Sequence, residues 1–238
     1  MQLRWHFSER DATRLRSFVA SQSSKRLVLE RQRRNVDRKD IDISASSTWR
    51  VLVGCLTTSQ QPSGDNSKVA RFLGTDNPVL DLEACSKAKR LAKTASRSLS
   101  AAGLRRNIII GEQLAQAVEN FNGPTWRELQ DSMKSLVSHT TLAKERDSAS
   151  LFRSTFSGIG PKQSRNLIQW IGLSRYVVPL DSRFTRHLHE IDFPVPASAA
   201  TLQDETYYRF VEDGIQHVAK EAGVYPCIYD ACVFASFE

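Results

Sequence analysis

Cysteine is scarce in this chain and poorly spaced for holding metal: four occur in 238 residues, at Cys55, Cys85, Cys227 and Cys232, with no Cys-x-x-Cys among them. The spacing argues against a zinc ribbon, and four thiols in so long a chain do not make a disulfide framework. Reduced structural thiols in a cytoplasmic protein fit better. Long apolar runs are also missing. A stretch such as Val51-Leu52-Val53-Gly54-Cys55-Leu56 is far too short to cross a bilayer. No hydrophobic export segment follows Met1-Gln2-Leu3-Arg4-Trp5-His6, so neither export nor a membrane partner is expected. Strand-like alternation is hardly seen, and no internal repeat occurs. With 40% apolar and 25% charged residues, what remains is an ordinary globular composition able to bury a sizeable core.

Charge is present in excess of one sign. The net charge is +7, and it is uneven: residues 1–40 carry eleven Lys/Arg against five acids. A basic segment of this kind fits a polyanion partner through counterion release. A solvated helix face or a floppy basic arm would look the same.

Helical signals cover nearly everything else. Ser46-Ser47-Thr48 reads as the cap of an apolar helix over 49–56, followed by a polar loop from Gln60 to Ser67. One long amphipathic helix is predicted over 82–102, ended by Gly103, and another over 109–121, closed by Asn122-Gly123-Pro124. Trp126, Leu129, Met133 and Leu136 recur at three- and four-residue steps, the stripe of a helix packed on a core. Further helices are predicted over 143–156, 162–171, 181–191 (ended by Pro194 and Pro196), 206–222 and 228–237. The fold class is all-α.

The chemistry concentrates in two places. Phe156-Ser157-Gly158-Ile159-Gly160-Pro161-Lys162 reads as two helices joined by a tight Gly-x-Gly hairpin, and Asp181 stands nineteen positions after Lys162 at the head of another helix. Glycines at 158 and 160 permit backbone that a side chain would forbid. The amides opening the next helix would then face outward, where unpaired N–H groups and the helix dipole attract phosphate. Pro161 suits the first turn because its missing N–H costs nothing there. The same dipole, with Arg165 one turn on, would push Lys162 toward the free amine, a nucleophile able to form a Schiff base with a sugar carbon. Asp181 could stabilise positive charge developing on that sugar or shuttle a proton. Asn166, four residues after Lys162, shares its helix face. Taken singly, these residues have plainer readings: Lys162 as a point charge on a phosphate, Asp181 as an N-cap.

The stretch from about Trp49 to Leu188 resembles the helix-hairpin-helix DNA glycosylases (the HhH-GPD superfamily), which include endonuclease III and 8-oxoguanine glycosylase. The hairpin from Phe156 to Lys162 and the Leu180-Asp181 pair are similar to the superfamily's Leu-Pro-Gly-Val-Gly-x-Lys and Val-Asp segments. Phe156-Ser157 in place of Leu-Pro marks a divergent branch. The resemblance implies two helical lobes. Residues 48–181 would form a barrel ending in the helix-hairpin-helix at about 150–172; residues 1–47 with 182–238 would form the second lobe.

By the same resemblance, Lys162 is the Schiff-base lysine of the bifunctional members and Asp181 the catalytic aspartate. Gly158, Gly160, Lys162 and Arg165 would contact DNA. Gln60, with Gln61 in reserve, would fill the gap left by a flipped base. Asn166, Trp170, Phe234 and Phe237 would wall the base pocket, unless the aromatics are core. The implied function is a DNA glycosylase with abasic-site lyase activity, acting as a monomer on duplex DNA that carries a damaged or modified base. An oxidised purine is the first choice; alternatives are a monofunctional glycosylase acting on another modified base, including foreign or phage DNA, and a non-catalytic hairpin module. The implied location is cytoplasmic, nucleoid-associated if the source is bacterial. No iron–sulfur cluster is expected, because only Cys227 and Cys232 follow the aspartate, and no other metal is expected. His187 and His189, two apart, point to different helix faces and read as structural or phosphate-facing. The hairpin carbonyls could hold a monovalent cation, as the resemblance implies.

Overall fold

A computed structural model describes residues 5–194 and 198–237, and every regular element among them is helical. Arg4 of the basic segment and Pro196 lie outside the described residues. In chain order the α-helices are α1 (Glu9–Gln22), α2 (Arg26–Arg31), α3 (Ala45–Thr57), α4 (Lys68–Leu73), α5 (Leu82–Lys87), α6 (Leu91–Ala101) and α7 (Asn107–Phe121). They continue with α8 (Pro124–Ser138), α9 (Leu142–Thr155), α10 (Pro161–Ile171), α11 (Ser182–Glu190), α12 (Glu205–Ala222) and α13 (Pro226–Ala235). No helix among the described residues is long and apolar enough to cross a membrane.

Buried side chains gather in two main groups. The first draws on α3 to α10, from Trp49 to Val177, and includes Trp49, Leu52, Leu114, Phe152 and Leu167. The second joins Ala12 and Leu15 of α1 to Val178, Phe184, Tyr208, Ile215 and Tyr229. A smaller cluster seats Val28 of α2 against Cys227, Ala231 and Cys232 of α13. The chain passes from the first group to the second between Val177 and Val178, just before Asp181.

Two local expectations need correction. The predicted helix over 82–102 is two helices, because Ala88 takes an extended backbone and Arg90 a non-helical one. α3 begins earlier than predicted: Ser44 is its cap, accepting from Ser47 N at 3.2 Å, so Ser46, Ser47 and Thr48 lie inside the first turn.

Part of the basic N-terminal segment is structural: Arg31, Arg34 and Arg38 bind elsewhere in the fold. α2 runs into a π-helical turn, Gln32–Val36, laid against the C-terminal end of α10. That end exposes carbonyls with no partner inside the helix. Asn35 donates to the carbonyls of Gln169 (3.0 Å) and Ser174 (2.7 Å), Arg34 to Ile171 (3.3 Å), and Arg38 to Gly172 (2.8 Å). Cations there also suit the negative end of the helix dipole.

Candidate active site

The hairpin forms where predicted, between α9 and α10. Gly158 has φ +84°, a conformation that glycine adopts freely, and a Cβ there would lie 2.2 Å from the Gln113 amide nitrogen. Gly160 differs from expectation: its φ is −88°, so no left-handed backbone requires glycine. A Cβ on it would meet nothing of this chain nearer than Gln203 Oε1 at 3.6 Å. Its smallness leaves room on the cleft side. Gly160 caps α10 with Pro161 in the first turn, and no side chain caps the helix. The first-turn amides are therefore available to an anion from outside.

Gln163 locks this helix start to the loop after α3. Its amide nitrogen donates to Cys55 O (2.7 Å), Thr58 Oγ1 (3.3 Å) and Ser59 Oγ (2.8 Å), while its oxygen accepts from Asn166 Nδ2 (3.1 Å). Gln60 follows directly, exposed, with φ +60°. Gln61 is held back: it donates to Thr57 O and accepts from Arg105 N at 3.0 Å. Of the two, Gln60 is the one free to project.

Asp181 arrives on a segment that three buried side chains pin down. Fully buried Glu145 accepts from Thr140 Oγ1, Ser174 Oγ and the backbone amides of Arg175, Tyr176 and Val177, at 2.7–3.0 Å. Burial pushes its pKa up, and the hydrogen bonds oppose that shift. Glu212, also fully buried, accepts from Val178 N at 3.2 Å. The Tyr208 hydroxyl donates to Val178 O (2.8 Å) and accepts from Leu180 N (2.7 Å). Asp181 then caps α11, its Oδ1 accepting from Arg183 N and Phe184 N, both at 2.9 Å. The capping role is real, and it orients the carboxylate.

Lys162 and Asp181 stand at the junction of two spaces. A cleft of about 690 Å³ runs past Gln60, Arg106, Gly158, Gly160 and Arg183, and both residues line it. Both also line a deeper pocket of about 260 Å³, walled by Asn166, Trp170, Phe234, Asp230 and Gln169. Lys162 is partly buried. Desolvation lowers its pKa, opposed by Asp181, with Arg183 adding to the lowering.

The structure corrects two expected site residues. Arg165 lines neither the cleft nor the pocket at Lys162. It is fully buried, paired bidentately with Glu205 (2.7 and 3.0 Å), 3.5 Å from Glu212, and stacked 4.5 Å from the Tyr208 ring centre. It joins α10 to α12, because its helix face points to the second lobe. Phe237 does not wall the pocket either; it is 37% exposed, with the Arg186 guanidinium 5.4 Å from its ring centre. Asn166, Trp170 and Phe234 do line the pocket, and the Arg183 guanidinium lies 3.8 Å from the Phe234 ring centre.

Asp230 on α13 was missed, as a lone acid in an apolar helix carries no motif. Burial pushes its carboxyl up to about 7, opposed by Arg31 and Lys162 and reinforced by Asp181. The nearby Gln169 amide favours the charged form without reaching hydrogen-bond geometry. The four thiols are free and buried, and burial pushes them up to about 11 or 12, which makes them inert packing groups. His187 is structural, buried, and 3.0 Å from the Tyr229 hydroxyl. Among the described residues no three His, Cys, Asp or Glu gather as a metal-holding group.

No family model matches the sequence, and no curated protein does. Solved structures do match. An 8-oxoguanine DNA glycosylase of Methanocaldococcus jannaschii superposes with a TM-score of 0.69 at 15% identity, over 94% of this chain and 91% of the other. The 8-oxoguanine glycosylase/lyase of that organism in complex with a 15-mer DNA containing 8-oxoguanine gives 0.65 at 14%, over 93% and 95%. The 8-oxoguanine DNA glycosylase of Thermotoga maritima gives 0.65 at 16%, over 94% and 95%. The chain thus has the all-α helix-hairpin-helix fold of these DNA glycosylases, along nearly its whole length.

Proposed function

We propose that the protein is a DNA glycosylase with abasic-site lyase activity, acting on duplex DNA that carries a damaged or modified base. The observation that carries this reading is the position of Lys162 and Asp181 where a broad cleft meets a smaller pocket, both residues lining both spaces. Chemistry at a glycosidic bond requires the base to leave the stack. With backbone in the cleft and base in the pocket, the sugar falls between the two residues. Gln60 would occupy the vacated stack, and the amides opening α10 would hold a phosphate.

The steps follow from the groups present. The Lys162 amine, freed of its proton with the help of desolvation, attacks the sugar C1′. The C1′–N bond breaks and the base leaves with its electron pair and takes up a proton. The Asp181 carboxylate stabilises the positive charge that develops on the sugar. Ring opening gives an imine between Nζ and C1′. Loss of a C2′ proton then expels the 3′ phosphate by β-elimination, nicking the strand, and water releases the amine. An oxidised purine is the first substrate to test, supported by the likeness to the 8-oxoguanine enzymes.

Borohydride reduces such an imine to a stable amine. Wild-type protein incubated with a lesion duplex and borohydride should form a covalent adduct on Lys162, and Lys162→Gln should form none. Trapping at the wild-type level in Lys162→Gln would remove the lysine from the mechanism. Base release without nicking in either protein would mean a monofunctional enzyme.

A further inference from the structure

Some of the most deeply buried polar atoms of the molecule make no hydrogen bond, and they sit together. Gln169 is 1% exposed with neither amide atom hydrogen-bonded, and Arg31 is 9% exposed with Nη1 unsatisfied, 4.0 Å from Asp230. Buried groups of this kind are rare in native proteins and call for a partner. Both residues, with Leu27, Glu30 and Trp170, line the base pocket and a second chamber of about 300 Å³ alike. Three arginines (Arg31, Arg34 and Arg50) line that chamber, with Glu30 its only acid. Arg50 and Glu30 are exposed, so the chamber reaches solvent. Gly54 makes the arrangement possible: a Cβ there would lie 2.9 Å from the Trp170 ring.

Position argues that an ordinary base does not fill this space. Gln169 walls the base pocket, so a base seated there ends at this wall and the second chamber lies past it. What reaches further must be a substituent. Three guanidinium groups and the Gln169 amide nitrogen donate, against Glu30 and the Gln169 oxygen as acceptors. Arg34 and Arg50 each spend one N–H on a backbone carbonyl. The remaining donors still prevail, so the group they suit is rich in acceptor oxygens and negatively charged.

We propose that the base pocket opens through the Arg31–Gln169–Trp170 wall into a chamber that takes an acidic substituent on the excised base. The substrate class is thus a base bearing an extended, carboxylate-type group on the side away from the sugar. This rests on the glycosylase reading above and narrows its substrate.

The test uses duplexes with one modified base each: guanine substituted at N2 or uracil at C5 by a carboxyethyl, carboxamidoethyl or propyl group. Single-turnover base release is measured for all six. At one or both attachment positions the carboxyethyl base should leave at least about tenfold faster than its carboxamide, a gap of about 1.4 kcal/mol. The ratio, taken within one protein preparation so that general losses cancel, should fall toward one in Arg34→Gln/Arg50→Gln. Equal rates at both positions, or a preference that survives the double variant, would overturn the chamber assignment. Borohydride trapping on an abasic duplex separates the two ideas. Trapping without acid preference sinks the chamber alone, whereas neither trapping nor release from any duplex sinks the glycosylase reading and the chamber with it.

Discussion

Replacing Asp230 by asparagine should change how the fold responds to pH. The carboxyl is pushed up to about 7 in the folded chain, against about 3.9 in an unfolded one. The folded state therefore holds this proton more tightly than the unfolded state. Its contribution to stability is full below about pH 4, declines as pH rises through the interval, and is gone above about pH 7. Three units at 1.36 kcal/mol each make the swing up to ~4 kcal/mol. The side chain is 14% exposed, so solvent screening takes away little of it. Arg31 from α2, Lys162 from α10 and Asp181 at the head of α11 are the charges that face it.

Asparagine cannot ionise, so the variant should lack this decline. Urea unfolding of both proteins at pH 5, 6, 7 and 8 gives the difference directly, and titrations elsewhere largely cancel in it. The wild type should lose ground to Asp230→Asn steadily from pH 5 to 7 and then level off. Two stability curves that run parallel across that range would refute the reasoning. A second readout checks the site itself. The Asp230 carboxylate raises the Lys162 pKa, so its removal should move the pH profile of borohydride trapping to lower pH.

Glu145→Gln should destabilise the protein by about 3 kcal/mol or more, because an amide NH₂ then faces backbone N–H donors. Base release should fall as well, since Asp181 rides on the segment Glu145 holds; a melting temperature within ~2 °C of wild type would mean that the carboxylate does not carry that segment. Gly158→Ala meets both the left-handed backbone and the Gln113 amide, at a cost of at least ~1–2 kcal/mol. DNA affinity should drop with it, read by fluorescence anisotropy. If Gly158→Ala/Gln113→Ala restores affinity fully, the side-chain collision and not the backbone is the constraint.

What was legible in the sequence is what local physics writes there. A Gly-x-Gly-Pro-Lys turn, a cap at Asp181 and three- and four-residue apolar stripes each act within a few residues, so the hairpin, the helix starts and the all-α class could be read directly. The failures share one cause. Arg165 reads as a cation near Lys162, yet direction decides its role, and the carboxylates that claim it lie 40 and 47 positions later at Glu205 and Glu212. The shared wall of Arg31 and Gln169 likewise depends on contacts made only when the chain has folded.

Glu145, Glu212 and Tyr208 carry the argument further, for they show what the unreadable part does. A segment between two helical lobes leaves backbone amides and carbonyls inside the protein, and each costs on the order of 1–3 kcal/mol if left unpaired. Helices cannot supply the partners there. Buried polar side chains from α9 and α12 do so instead, and the residue they deliver, at the end of the crossing, is Asp181. Satisfying the crossing and aiming the carboxylate are then one structural problem with one solution. A substitution that loosens the crossing should therefore impair both fold and chemistry, whereas one at Lys162, whose side chain opens on the cleft, should impair the chemistry first.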